Sequence, residues 1–325
     1  MANVPGWPVA FRGSYAVAAG LVTRDRLRGP RYRRVLPDVY CRASADPSDL
    51  LLRSLAAYRL VEGRGVLSGY SAAVVLGAGC APRPETPAEV TVPGGDLRRR
   101  PGLVVHRGLL RDDEVVRVRD VVCTTPLRTA FDLARGPDLE EAVIAVDRLA
   151  NRHRLQPERL WDLCERNRGR RGVARVPRVL QLASPYAGSP METRLRLLIV
   201  AGGLPCPSVQ WAVQDVATRS VFWLDLAWPE LKIGIEYDGE PHTEPARVLR
   251  DIGRTTRLVD LGWRLYRYTK RDVFGDPVAL RLWRYIFFFV AEHADVAVGL
   301  RIIGSGARYG ERNEQGQFQQ APCVD

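Results

Sequence analysis

A chain of 325 residues, 46% of them hydrophobic, is long for one domain and can fill two or three ordinary cores. Its formal net charge of +11 favours a polyanionic partner, and that charge is almost all arginine, because Lys232 and Lys270 are the only lysines. Six scattered cysteines without a Cys-x-x-Cys pair suggest neither a zinc site nor a disulfide framework, so a reducing cytoplasm is expected, with no export signal and no membrane segment.

Residues 1–46 combine a short helical pattern, SYAVAAGLVTRDRLR, with a basic strand-like run, RYRRVLPDVYCR. A small helix before a basic hairpin predicts an abbreviated winged-helix-like module. Its Arg24, Arg26, Arg28, Arg31, Arg33 and Arg34 would hold phosphates or form a solvated face. Residues 47–136 predict a mixed α/β region: helices in LLRSLAAYRL and SAAVVLGA, strands in AEVTVP and LVVHRGLL, and then VVCTTPLRTAFDLAR. Both stretches resemble AbiEi-type antitoxins, the second notably in SAAVVLG and TTPLRTAFDLA. His106 lies in a strand-like run with no metal-spaced partner, and a structural or surface role is expected for it.

Residues 137–186 predict an arginine-rich helical linker, in which LEEAVIAVDRLANRH places Ala142, Val146 and Leu149 at helical spacing. Ten arginines fall between Arg148 and Arg178. Arg168, Arg170 and Arg171 among them are candidates for contact with a nucleic-acid backbone, and a solvated linker broken by Gly169, Gly172 and Pro177 is the equal alternative.

At Ser189-Pro190-Met191-Glu192 a capped helix begins, with serine before the first turn and glutamate three residues later. The stretch VFWLDLAWPELKIGIEYDGEPH then reads as two strands joined at Pro229-Glu230. That loop would set Asp225 opposite Gly234 and put Asp225, Lys232, Glu236 and Asp238 on one face, with Phe222, Leu224 and Leu226 on the other. Asp225 and Glu236 become diagonal neighbours roughly 7–8 Å apart. Carboxylates gathered in apolar strands repel and cost desolvation energy unless a cation or donors compensate, which marks a site; an exposed edge hairpin is the plain alternative. A helix from His242 to Leu261 follows, carrying Arg247, Arg250, Asp251, Arg254 and Arg257 at spacings suited to a phosphate groove, although Asp251 would also pair with the arginines beside it. WRLYRYTK predicts a strand that joins the hairpin sheet and delivers Lys270 to its end, 277–294 predicts a covering helix, and 304–325 a disordered tail.

The acid, the ten-residue gap, the Glu-x-Asp-Gly and the nearby histidine resemble the very short patch repair (Vsr)-like branch of the restriction-endonuclease superfamily over about 187–295. The resemblance implies an α/β domain with a restriction-endonuclease-like mixed sheet flanked by helices, and a metal-dependent endonuclease acting on DNA. Asp225 and Glu236 would hold Mg2+ (or Mn2+), and Asp238 would bind a second ion or orient water. His242 or Lys270 would replace the superfamily's lysine, whose place holds Asp238. In that family an acid on the first helix also lies near the metal, which gives Glu192 a role beyond capping. The competing reading is a non-catalytic, DNA-binding, antitoxin-like regulator that keeps the nuclease fold as a scaffold, with a cognate toxin or another protein as partner.

Overall fold

The structure, a computed structural model, describes residues 9–97, 100–239 and 245–275, with side chains from 251 onward in the last of these segments. The chain divides into two compact units, Met1–Val176 and Pro177–Asp325. Both are of mixed α/β class. No helix among the described residues is long and apolar enough to cross a membrane. The expected helix at 277–294 and the expected disordered tail at 304–325 lie outside the described residues.

The first unit opens with β1 (Ala10–Arg12), α1 (Gly13–Ala18), α2 (Arg24–Arg28), β2 (Tyr32–Leu36) and β3 (Val39–Arg42), in an antiparallel sheet of order β1-β3-β2. Phe11, Ala16, Val22 and Leu27 form its core, with Tyr32 and Tyr40 packed against them. The hairpin turn residue Asp38 (φ 59°) accepts the Ser14 N–H at 2.8 Å and the Ser14 hydroxyl at 2.6 Å. A turn residue thus caps α1, whose own N-cap, Arg12, makes no side-chain cap. Gly13 is required where α1 meets the hairpin, because a Cβ there would come within 2.6 Å of the Tyr40 ring.

There follow α3 (Leu50–Val61), β4 (Val66–Leu67), α4 (Gly69–Val75), β5 (Ala88–Val92), β6 (Leu103–Arg107), β7 (Val115–Val118), β8 (Val121–Thr124), α5 (Pro126–Ala134), α6 (Leu139–His153) and α7 (Leu160–Arg166), and α8 (Val176–Leu182) starts at the last residue of this unit and otherwise belongs to the second. The sheet has order β6-β5-β4-β8-β7, with β5–β6 and β4–β8 parallel. α6 is not part of a solvated linker. Val143, Ile144 and Ala145 are buried together with Ala142, Val146 and Leu149, so the helix is enclosed well beyond the stripe its periodicity implies.

The second unit contains α9 (Pro190–Ala201), β9 (Ser208–Asp215), β10 (Ser220–Trp228), β11 (Ile233–Asp238), α10 (Pro245–Asp260), β12 (Arg264–Thr269) and α11 (Lys270–Gly275). Its sheet has order β12-β11-β10-β9: three antiparallel strands, then β12 running parallel to β11 after the α10 crossover. One face packs Leu195 and Ile199 of α9 and Val273 of α11 against Leu226, Trp228, Ile233 and Ile235. The other packs Leu258 of α10, with Trp263, against Val213, Leu224 and Ala227.

Two local features differ from the sequence expectation. The β10–β11 loop is a 3₁₀ turn, Pro229–Leu231, followed by Lys232 in left-handed backbone (φ 49°), rather than Pro229-Glu230 alone. Pairing therefore runs Ala227 with Gly234 and Trp228 with Ile233, and extending this register puts Asp225 opposite Glu236. Gly234 does not leave space beside Asp225, since a Cβ on it would lie 2.8 Å from Leu224 and 2.9 Å from Leu265. Nor does Lys232 join the acid face; its ammonium donates to the Leu261 carbonyl at 3.1 Å.

The second difference is a kink. Gln210, in mid-strand, has φ 52°, and it lies between the pairs Leu224–Trp211 and Leu226–Val209. Before it Leu224 packs with the α10 side, and after it Leu226 packs with the α9 side, so the strand changes face at Asp225. Phe222, Leu224 and Leu226 consequently do not share one face.

Candidate functional site

At the kink, Asp225 and Gln210 turn toward α9. Ser189 caps that helix as its sequence predicts, its hydroxyl accepting the Glu192 N–H at 3.2 Å. The Glu192 carboxylate reaches back to the N–H of Gly188 (2.8 Å) and is 9% exposed. Gln210 Nε2 donates to Glu192 Oε2 at 3.1 Å and to Asp225 Oδ1 at 3.2 Å, bridging the two acids. The β10–β11 ladder ends at Leu226–Ile235, and the Tyr237 N–H donates instead to Asp225 Oδ2 at 2.9 Å. Burial, with the negative charge of Glu192 and then of Glu236, raises the Asp225 carboxyl to about 6, against the opposing pull of the Tyr237 and Gln210 donors.

Glu236 takes another direction. By alternation it shares the α10 side with Gly234, and its carboxylate, 12% exposed, lies 2.5 Å from Arg254 and 3.3 Å from Arg267. Its Oε1 is buried and meets the Arg254 guanidinium as an ion pair without hydrogen-bond geometry. Arg254 also donates to the Trp223 carbonyl. The two arginines supply the positive charge that the sequence assigned to a divalent ion. Asp238 is exposed at the end of β11, and Lys270, also exposed, begins α11 immediately after β12, whose Thr269 pairs with Asp238. Asp251 is half-buried on α10. His242 lies outside the described residues, as do the side chains of Arg247 and Arg250.

The expected convergence of Asp225, Glu236 and Asp238 on one face does not form, because the kink at Gln210 sends Asp225 to one side of the sheet and leaves Glu236 on the other. Among the described residues no three His, Cys, Asp or Glu side chains gather as a metal-binding group. As arranged, these carboxylates do not fit a divalent ion: protein donors or arginines already engage Glu192, Asp225 and Glu236. Sequence reasoning missed Gln210 and Arg267. Nothing in the sequence marks a glutamine for left-handed backbone, whereas Arg267 becomes visible once β12 is laid parallel to β11, where it pairs with Glu236.

In the first unit, Arg24, Arg26, Arg28, Arg31, Arg33 and Arg34 are all exposed. They decorate α2, its following loop and β2, and their charge has little local compensation. Among the described residues Arg28 has only a long, exposed contact with Asp25 (3.9 Å), and Arg33 donates to the Ala43 carbonyl (3.0 Å). The arginines further along are less free. Arg148 donates to the Ala78 carbonyl (3.0 Å), Arg166 to the Asp162 carbonyl (3.2 Å) and Arg175 to the Arg135 carbonyl (3.3 Å), while Arg168 pairs with Glu165. Arg170 and Arg171 remain exposed with no side-chain partner among the described residues.

Comparison with known proteins places these features in context. Residues 71–182 match the AbiEi antitoxin C-terminal domain. The match begins in α4 and extends past residue 136 to the end of α8, so it takes in the helices expected to be a linker. Two uncharacterized proteins of Mycobacterium tuberculosis, one from strain CDC 1551 / Oshkosh and one from strain ATCC 25618 / H37Rv, are each 30% identical over 197 residues, which covers 60% of this chain and 72% of the relative. The chain belongs to the same family as these two mycobacterial proteins and carries, in residues 71–182, a segment of the AbiEi antitoxin C-terminal type.

Proposed function

We propose that this protein is a DNA-binding, antitoxin-like regulator whose N-terminal module, of winged-helix-like build, holds the DNA backbone, and whose second unit is a non-catalytic α/β scaffold. The observation that carries this reading is the AbiEi antitoxin match over residues 71–182, which follows a small helix-and-hairpin module with six exposed arginines. Guanidinium groups suit phosphate through their fork of donors, and contact of this kind positions a protein on duplex DNA without reading its sequence. The state of the acids supports the same reading, because Glu236 is neutralised by Arg254 and Arg267. A cognate toxin or another protein partner accords with the antitoxin likeness.

The test is binding of the full chain to duplex DNA across a salt series in the presence of a chelator, together with a plasmid-nicking assay in Mg2+ or Mn2+. Binding should persist in chelator. Arg24→Ala, Arg26→Ala and Arg34→Ala should each flatten the log–log salt slope by about 0.9 where a phosphate contact is lost. Nicking that requires the metal and disappears in Asp225→Asn would overturn the proposal in favour of a Vsr-like nuclease, which would need Arg254 and Arg267 to release Glu236.

A further inference from the structure

A polar cavity of about 430 Å³ opens in the first unit beside β5 and β6, and the DNA-binding reading makes no use of it. Its acceptors are already occupied. Glu89 on β5, with its side chain 13% exposed, accepts the Tyr70 N–H at 3.0 Å through one oxygen and contacts His106 Nε2 at 2.7 Å through the other. The sequence reserves room for that carboxylate, because Gly69 has φ +51° and a Cβ on it would lie 2.5 Å from the Glu89 oxygens. Asp132, the second acid of the lining, pairs with Arg128 at 3.0 Å and with Arg135 at 2.6 Å. Glu114 stands on the other side of Arg128 at 2.8 Å.

What remains unfilled in the cavity is donor capacity. Ser68, 1% exposed, lines it, and the Ser68 hydroxyl has no hydrogen-bond partner among the described residues. The buried Nε of Arg135 is likewise unpaired. Arg107 gives a single long hydrogen bond to the Leu97 carbonyl (3.3 Å), and Arg170 is exposed with no side-chain partner. Four arginines thus line the cavity against two carboxylates, and an unpaired buried donor carries a desolvation cost that an oxyanion would remove. The lining has no Phe, Tyr or Trp ring on which a base could stack, and its one imidazole, His106, is engaged by Glu89.

We propose that this cavity binds a phosphate monoester, its oxygens received by the Ser68 hydroxyl and the guanidinium groups of Arg107, Arg135 and Arg170. Bidentate arginine contacts are the strong form of phosphate recognition, and the cavity has room for a sugar-sized group behind the phosphate. The phosphate can come from a small sugar phosphate or from the 5′ end of a nucleic acid. The site is independent of the N-terminal arginines, so loss of duplex binding in their variants leaves it untouched.

The experiment is isothermal titration of the full chain with ribose 5-phosphate, with ribose, and with a short single strand carrying either a 5′-phosphate or a 5′-hydroxyl. Ribose 5-phosphate should bind and ribose should not; a single strand that binds more tightly with the 5′-phosphate than without it identifies a nucleic-acid end as the source. Ser68→Ala and Arg107→Ala should each weaken binding about tenfold or more, the loss expected for a hydrogen bond to a charged group. Unchanged thermal unfolding of each variant will separate that loss from misfolding. The proposal is overturned if neither phosphate-bearing probe binds, if ribose binds as well as its phosphate, or if both folded variants bind as tightly as the parent.

Discussion

Replacing Asp225 with asparagine should change the pH dependence of stability in a direction fixed by its surroundings. In the folded chain this carboxyl titrates at about 6, against 3.8 when unperturbed, because burial and the charges of Glu192 and Glu236 oppose ionisation. A group whose folded pKa is raised contributes stability that is fully present below the unfolded value and is lost as pH rises through the folded value. The window is therefore pH 4 to 6. A shift of about two units at 1.36 kcal/mol each corresponds to about 3 kcal/mol. Asparagine does not titrate, and it keeps an acceptor oxygen for the Tyr237 N–H. Any pH-independent cost of the exchange, including disturbance of the Gln210 contact, shifts the whole curve equally. The stability of Asp225→Asn minus that of the parent should thus rise by about 3 kcal/mol between pH 3 and 7. Urea unfolding followed by tryptophan fluorescence suits the measurement, since Trp211, Trp223, Trp228 and Trp263 all lie in the second unit. A difference that stays flat, or falls, across that range would refute the reasoning and show that the carboxylate is ionised at no cost.

Arg254→Ala should destabilise the second unit by about 1–3 kcal/mol by leaving the buried Glu236 carboxylate with Arg267 alone, and adding Glu236→Gln should recover part of the loss in a double-mutant cycle. Ser189→Ala should cost roughly 0.5–2 kcal/mol in the same unfolding assay through loss of the cap on α9, with no change in DNA affinity. Removing Arg168, Arg170 and Arg171 together should lower the salt slope of DNA binding by no more than about 1.8, the equivalent of two phosphates, because Arg168 is held by Glu165; a larger drop would show that this ion pair opens on DNA.

The parts of the second unit that depend on neighbouring residues were legible in the chain. Ser189 and Glu192 marked the start of α9, the apolar runs on either side of Pro229 marked β10 and β11, and Gly262, at φ +84°, closed α10 before β12. The α/β class and the place of Lys270 at the end of β12 follow from those elements. The geometry of the acids was not legible, for two physical reasons. A proline turn can close with two residues or four, and Lys232 adopted a left-handed conformation that its side chain does not favour. The reversal of face at Asp225 arises on a different strand, from the backbone of Gln210, so period-two alternation within β10 could not show it. In the first unit, the apolar spacing of α6 identified the helix, while its enclosure comes from packing against α5 and from contacts with the Leu76–Ala78 segment some seventy residues earlier, which periodicity within the helix cannot show.

A strand that changes sides has two different grammars of tolerance along its length. From Val221 to Leu224 every second residue faces solvent, with Val221 49% and Trp223 57% exposed, so polar replacements there touch only one core. From Leu226 to Trp228 three successive side chains are buried, feeding the α9 core and the α10 core in turn. A saturation library across β10 should therefore recover an alternating profile that turns continuous after Asp225, and the point of transition should move only when Gln210 itself is exchanged. Substitutions at Ala227 and Leu226 should also be non-additive with changes in different helices. Two halves of the unit that share no helix would then evolve under a common constraint set at one pair of residues.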